Sequence, residues 1–131
     1  MRLLLDTHVA LWAIVGDDRL PKFAVDLICE PANTVVVSAA SVWEITIKHA
    51  LNRGKPNDMP VSGPQALSFF KAAGYQLLAI RAEHAAAVQS LPDLHRDPFD
   101  RLLVAQALYE PLRLITHDAM VKSYSDSFML V

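Results

Sequence analysis

Carboxylate side chains stand where apolar runs of this chain end or where helical patterns begin. Asp6 directly follows the run "RLLL", and Asp118 follows the run "RLIT" with one residue between. Glu44 lies in the helical pattern after "VVVS", and Asp97 and Asp100 open the stretch "DPFDRLLVAQAL". Carboxylates gathered in one place can hold hard cations or transfer protons. Whether these five meet depends on the elements that carry them.

Short apolar runs alternate along the chain with stretches of helical spacing. The runs predict strands at residues 2–5, 34–37, 75–80 and 113–116 and in the final "FMLV". The helical spacing predicts helices at 7–15, 21–30, 41–54, 65–74, 82–91, 98–108 and 118–124, and the polar segment 55–64 reads as a surface loop. Continuously apolar strands that alternate with helices are typical of a parallel sheet covered on both faces. We therefore expect an α/β fold, a three-layer α/β/α sandwich with a central parallel sheet of four or five strands.

In such a sheet the ligand site lies outside the carboxyl ends of the strands. Asp6 and Asp118 end strands, and Glu44 lies in the first turns of the helix after a strand. Asp97 and Asp100 join this edge only if the preceding loop carries the start of their helix to it. The topology thus predicts that at least three of the five carboxylates share one edge.

Composition limits the class of protein. The chain has 131 residues, 53% of them hydrophobic and 20% charged, as expected for a single domain over 1–131 with a substantial core. The formal net charge of −2 argues against bulk electrostatic binding of nucleic acid, so such a partner would have to be held locally. Cys29 is the only cysteine, which excludes an internal disulfide and a multi-thiolate metal site. We see no signal peptide and no membrane span, and expect a cytoplasmic protein.

Each carboxylate also has a structural explanation. Asp6 and Asp118 could cap the helices that follow them, and Asp97 before Pro98 is a natural N-cap that places Asp100 at the third helical position. Glu44 has two such explanations: a capping box with Ser41 and an ion pair with Lys48.

Taken together, the carboxylates are harder to explain by structure alone. At about 4 Å and an effective dielectric constant near 20, each like-charge pair costs on the order of 4 kcal/mol. Protons or cations must neutralise such a cluster, and hard divalent cations prefer oxygen ligands. The pattern indicates Mg²⁺ or Mn²⁺, whose usual chemistry in such sites is hydrolysis of phosphate esters.

Four sequence blocks carry a family resemblance: "LLLDTHVALW", "SAASVWEITIK", "HRDPFDRLLVAQAL" and "LITHD". In this order they resemble the blocks of PIN-domain proteins, and in detail those of the VapC-type ribonuclease toxins of bacterial toxin–antitoxin modules. The blocks span nearly the whole chain, and the resemblance therefore implies a single PIN domain.

The resemblance implies a magnesium-dependent endoribonuclease whose acids hold the metal. Carried over by position, the catalytic and metal-binding residues are Asp6, Glu44, Asp100 and Asp118. The family's helix pattern after the third acid selects Asp100 as the ligand. Asp97 would then cap the helix and contribute a negative charge near the metal. The alternative is that Asp97 is the ligand. The hydroxyls of Thr7 and Ser38 stand where the family places groups near the metal or its waters.

The resemblance further implies a cognate antitoxin and a homodimer, with no membrane partner. The apolar helices "VALWAIV" and "FAVDLI" are candidate surfaces for these partners. Lys48, Arg53 and Lys55 are candidate contacts to RNA phosphates, with solvated surface charge as the alternative. Three histidines stand next to acids, and we assign them no role beyond hydrogen bonding: His8, His95 and His117. The two tryptophans, Trp12 and Trp43, are expected in the core or in an interface.

The expected function is a ribonuclease toxin that cleaves a structured cellular RNA, tRNA or rRNA, and inhibits translation. Two alternatives stay open at this point. One is another metal-dependent nuclease on the same fold, acting in RNA processing or on DNA, because fold does not fix substrate. The other is a catalytically silent PIN module that only binds, although retention of all four acids argues against it.

Overall fold

The apolar runs form one parallel sheet in the computed structural model, which describes residues 1–131. Its strands are β1 (Arg2–Leu5), β2 (Thr34–Ser38), β3 (Gln76–Leu78), β4 (Arg113–Thr116) and β5 (Met129–Leu130). Their order across the sheet is β3-β2-β1-β4-β5, and every neighbouring pair is parallel. The central strand β1 pairs with both β2 and β4, so residues from distant parts of the chain meet along it.

Seven α-helices connect the strands. They are α1 (Thr7–Val15), α2 (Lys22–Cys29), α3 (Ala39–Ala50), α4 (Gly63–Ala72), α5 (Ala82–Ala87), α6 (Pro98–Tyr109) and α7 (Ala119–Lys122), with a short 3₁₀ turn at Val88–Ser90. None of them combines the length and the apolarity needed to cross a lipid bilayer.

Alternating strand side chains build a core on each face of the sheet. Leu3 and Leu5 of β1 pack with α1, α2 and α4 on one face. Leu4, between them, packs with α6 and α7 on the other. This is the period of two expected for a strand, and it confirms the three-layer α/β/α sandwich.

Helix α1 differs from its expected role as a partner surface. Residues from Val9 to Trp12 are buried in the core, and only Val15 among its large apolar side chains is well exposed. Helix α2, in contrast, exposes Phe23 and Val25. Of the two candidate surfaces, "VALWAIV" is therefore mostly core, because α1 is packed between the sheet and its neighbouring helices.

Several helix boundaries differ from the predicted ones, and α4 begins at Gly63, inside the predicted loop 55–64. Helix α3 begins at Ala39 and is capped by Ser38, whose Oγ accepts a hydrogen bond from the backbone N–H of Ala40 at 3.0 Å. The predicted capping box of Ser41 and Glu44 is wrong, because both residues lie inside the helix. The helix predicted at 82–91 is divided into α5 and the 3₁₀ turn, and α3 ends at Ala50, before Gly54.

Candidate metal centre

The five predicted carboxylates line one cleft at the carboxyl edge of the sheet. The strand order reverses between β1 and β4, and the cleft of about 440 Å³ opens there, at the position where such sheets bind ligands. Helix α6 runs back toward the start of β4, so its first turn lies at the same edge. The lining residues are Asp6, His8, Trp12, Glu44, Lys48, Asp97, Asp100, His117, Asp118 and Ala119.

Asp6 is buried at the base of the cleft. Its Oδ1 accepts the backbone N–H of Val9 at 2.9 Å and caps α1. Its Oδ2 accepts the Thr116 hydroxyl at 2.6 Å and the backbone N–H of His117 at 3.2 Å, which ties the ends of β1 and β4 together. Burial raises the pKa of Asp6 although all these hydrogen bonds lower it. The carboxylate is fixed in orientation and is costly to keep charged without a cation.

Glu44 reaches the cleft from α3 and is also buried. Its Oε1 accepts the Thr7 hydroxyl at 2.6 Å, and Ser41 Oγ lies 3.0 Å from that hydroxyl. Its Oε2 pairs with Lys48 Nζ at 2.5 Å, which confirms the predicted ion pair one helical turn away. Thr7 thus orients a site carboxylate, and Lys48 neutralises it.

Asp97 and Asp100 both lie at the start of α6, and the sequence leaves open which of them is the metal ligand. Asp97 Oδ1 accepts the backbone N–H groups of Phe99 and Asp100 at 2.9 and 3.0 Å, so Asp97 is the N-cap of α6 as expected. Asp100 is the third residue of the helix. Burial raises its pKa to about 6, and the charges of Asp97, Asp6 and Glu44 add to this rise.

Asp118 completes the group from the end of β4. Its Oδ1 accepts the backbone N–H of Met120 at 2.8 Å and caps α7, while Oδ2 lies 3.4 Å from His95 Nε2. The same His95 nitrogen lies 2.8 Å from Asp100 Oδ2. His95 therefore bridges two carboxylates of the cleft.

Three other predicted residues lie away from this cleft. Ser38 is fully buried, and its Oγ donates to Gln106 Oε1 at 2.5 Å in addition to capping α3. The expectation that it lies near the metal is not supported. Arg53 and Lys55 are exposed in the loop after α3, where their backbone N–H groups both bind Asp58. Of the predicted basic contacts, Lys48 alone lines the cleft.

His95 and Arg101 are the site residues that sequence reasoning missed. The guanidinium of Arg101 donates to the carbonyl oxygens of Val88, Pro92 and His95 and to the Tyr124 hydroxyl, all at 3.2 Å. It fixes the loop that leads into α6. The available signal was the position of His95 in "HRDPFDR", two and five residues before the two acids.

The donor set of the cleft fits a hard divalent cation. It consists of carboxylate oxygens, the ligands that Mg²⁺ and Mn²⁺ favour. Burial and then the charges of three neighbouring acids raise the pKa of Asp100, and the effect of those charges indicates that the cluster is destabilised when its members are ionised together. A bound cation would relieve that repulsion.

Comparisons with known proteins agree with this architecture. The family model described as PIN domain matches residues 3–126. The chain is similar to Ribonuclease VapC22 of Mycobacterium tuberculosis, with 32% identity over 123 residues that cover 93% of this chain and 91% of that protein. The structure of VapBC2 from Rickettsia felis bound to a DNA fragment from their promoter matches with a TM-score of 0.70 and 18% identity over 100% of this chain and 98% of that one. FitAcB from Neisseria gonorrhoeae matches with a TM-score of 0.64 and 19% identity over 98% and 96%.

Proposed function

The chain belongs to the PIN-domain family and, within it, to the VapC-type proteins, and from this premise we propose that it is a metal-dependent endoribonuclease, the toxin of a toxin–antitoxin module. The observation that carries the proposal is the cleft itself. Acids from the ends of β1 and β4, from the middle of α3 and from the first turn of α6 converge at the edge where sheets of this topology bind ligands. The similarity to Ribonuclease VapC22 of M. tuberculosis supports RNA as the substrate.

We assign Asp6, Glu44, Asp100 and Asp118 as the catalytic residues that hold Mg²⁺ or Mn²⁺. When bound, such a cation polarises the phosphodiester and lowers the pKa of a coordinated water, so that hydroxide is available near neutral pH. The protein contributes the orientation of the acids. Thr7 fixes Glu44, and Thr116 fixes Asp6. Asp97 holds the first turn of α6, which carries Asp100.

Lys48 is the basic group best placed to contact an RNA phosphate. It lines the cleft and its side chain is 43% exposed, so it can leave Glu44 for a phosphate when a cation takes over that carboxylate. Arg53 and Lys55 extend the basic surface along the loop after α3. With a net charge of only −2, the whole chain neither strongly attracts nor strongly repels RNA, and local contacts of this kind carry the binding.

The proposed substrate is a structured cellular RNA, tRNA or rRNA, whose cleavage in the cytoplasm inhibits translation. A cognate antitoxin and a second copy of the chain are the proposed protein partners. A solved toxin–antitoxin complex from Klebsiella pneumoniae is similar to this chain, with a TM-score of 0.63 and 18% identity over 97% of this chain and 95% of that one, and it supports the antitoxin. Large apolar side chains stay exposed on α2 and α3, and a partner would cover them: Phe23, Val25, Trp43, Ile47 and Leu51.

The test is cleavage of total tRNA and rRNA by the purified chain with Mg²⁺, with Mn²⁺ and with a chelator. Asp100→Asn keeps the shape of the residue and removes its charge, and Asp97→Asn does the same for the helix cap. We expect discrete cuts that need metal, vanish in Asp100→Asn and survive in Asp97→Asn.

Other results would redirect the proposal. Loss of cleavage in Asp97→Asn with retention in Asp100→Asn would exchange the roles of the two residues. Cleavage of DNA but not RNA would indicate another nuclease of the same fold. Metal binding without any cleavage would indicate a PIN module that only binds.

A further inference from the structure

His95 lies against the acidic cluster at distances that suit a shared cation. Its Nε2 is 2.8 Å from Asp100 Oδ2 and 3.4 Å from Asp118 Oδ2, and one ligand atom from each of the three residues falls within 4.8 Å of the others. Adjacent ligands of an octahedral ion with bonds of about 2.1 Å are about 3 Å apart. The two distances from His95 Nε2 are therefore close to those between neighbouring ligands on one ion.

The loop that carries His95 is held in place. Arg101 donates hydrogen bonds to three carbonyl oxygens of this loop, including that of His95 itself, and to the Tyr124 hydroxyl. Arg101 and Asp100 both belong to α6. Because the guanidinium of Arg101 binds the loop, it fixes the position of His95 relative to Asp100. The hydrogen bonds of Arg101 thus hold the loop so that the imidazole of His95 faces Asp100 and Asp118.

The other histidines at the cleft differ from His95. His8 is exposed beside Trp12, with their ring centroids 6.2 Å apart. The Nδ1 of His117 bonds to the carbonyl oxygen of Val131 at 2.8 Å, and its ring packs edge-on against Trp12. Of the three, His95 is the one whose ring nitrogen pairs with carboxylates.

We propose that His95 supplies its Nε2 as a nitrogen ligand to the cation held by Asp100 and Asp118, so that the centre is a mixed nitrogen and oxygen site. The inference rests on the proposed metal-dependent function and deepens it. Ligation uses the neutral imidazole with its lone pair on Nε2 and its proton on Nδ1. Imidazole favours transition metals over Mg²⁺, so His95 should increase the affinity for Mn²⁺ more than that for Mg²⁺.

The test is electron spin echo spectroscopy of the full chain loaded with Mn²⁺, which detects a directly bound ¹⁴N nucleus. Mn²⁺ affinity is measured by titration and Mg²⁺ affinity by competition. We expect ¹⁴N modulation in the wild type, its loss in His95→Gln, and a fall of about tenfold in Mn²⁺ affinity with a smaller fall for Mg²⁺. His8→Gln is the matched control, because it removes an imidazole that lines the cleft, and it should retain the modulation.

Two results separate the failure of this inference from failure of the proposed function. If Mn²⁺ binds the wild type and is lost in Asp100→Asn, but ¹⁴N modulation is absent or persists in His95→Gln, the ligand assignment alone is wrong. If the wild type binds no Mn²⁺, or Asp100→Asn binds it equally well, the proposed metal centre is wrong and the assignment of His95 falls with it.

Discussion

At the carboxyl edge of the sheet, three aspartates use one oxygen to cap a helix and direct the other elsewhere. The Oδ1 atoms of Asp6, Asp97 and Asp118 accept backbone N–H groups at the starts of α1, α6 and α7. The Oδ2 of Asp6 ties β1 to β4, and that of Asp118 approaches His95. Structural and functional explanations of these residues are therefore compatible, because the helix starts that need caps surround the cleft.

Asp100 is not a cap, and its environment makes a pH prediction at the scale of a single residue. Its pKa is about 6 in the folded protein against 3.8 for an ordinary aspartate. The folded state binds this proton more tightly than the unfolded state. The stabilisation from the bound proton is complete below pH 3.8 and is lost as the pH rises through about 6.

In chelator, the wild type should therefore lose stability relative to Asp100→Asn between about pH 4 and pH 7. The expected change is on the order of 1–2 kcal/mol, reduced because the carboxylate is partly solvated. Urea unfolding of both proteins at pH 4.5 and 7.5 measures it, since groups that do not interact with Asp100 contribute equally to both. Parallel pH profiles for the two proteins would contradict the prediction.

At the scale of elements, the first turn of α6 depends on its cap. Asp97→Ala removes the acceptor for two backbone N–H groups and should reduce the free energy of unfolding by about 1 kcal/mol. Asp97→Asn should retain most of that stability, because asparagine caps equally well. Denaturant unfolding of both variants checks this, and equal loss in the two would show that the charge, not the hydrogen bonds, stabilises the turn.

Helices α3 and α4 pack closely enough to require a glycine where they meet. A Cβ on Gly63 would lie 1.8 Å from Thr46 Oγ1 and 3.0 Å from Thr46 Cβ. Gly63→Ala should destabilise the fold by about 1–3 kcal/mol, since either the threonine or the helix must move. Because α3 carries Glu44, cleavage should also fall.

A double-mutant cycle tests whether the clash with Thr46 causes the destabilisation by Gly63→Ala. Thr46→Ala removes the atom at 1.8 Å, so Gly63→Ala should cost less in that background. The free energies of unfolding of the four proteins give the coupling. Strict additivity would mean that the cost of Gly63→Ala has another origin.

The positions of the strands and helices explain which site residues could be predicted from the sequence. Strand ends and the helix after β2 predict that Asp6, Glu44 and Asp118 share one edge, because the parallel topology brings those ends together. The same reasoning leaves Asp97 and Asp100 dependent on the loop before α6, and in the structure both line the same cleft. His95 was not predicted to meet two of them, since its loop has no periodic pattern and depends on distant contacts of Arg101. These contacts leave no signal in local spacing.

Ser38 illustrates a different limit. It follows Val36 by two residues on β2 and therefore points to the same face, where Val36 packs in the core beside α6. Its hydroxyl meets Gln106 of α6 for that reason. Ser38 does lie at the end of β2. The sequence alone does not show which face of the sheet α6 covers, and therefore does not show that the Ser38 side chain points toward α6 and away from the cleft.

At the scale of the whole molecule, a cation that binds only the folded cleft must stabilise the chain. With the free cation at about 100 times its Kd, the gain is about 2.7 kcal/mol, which should raise Tm by several degrees. Thermal unfolding with Mg²⁺ and with chelator should show this gain in the wild type and in Asp97→Asn and not in Asp100→Asn. The same shift in Asp100→Asn would place the cation elsewhere.

The central position of β1 has a consequence for the order of events during synthesis. This strand is made first, yet its partner β4 and the Thr116 hydroxyl that orients Asp6 are made more than a hundred residues later. Domains fold as units as they emerge from the ribosome, and contacts between distant segments form late. Asp6 and Asp118 can therefore meet only after translation has passed β4. A nascent chain that lacks β4 has no assembled cleft, so the proposed toxin cannot act on the ribosome that makes it before β4 has been synthesised.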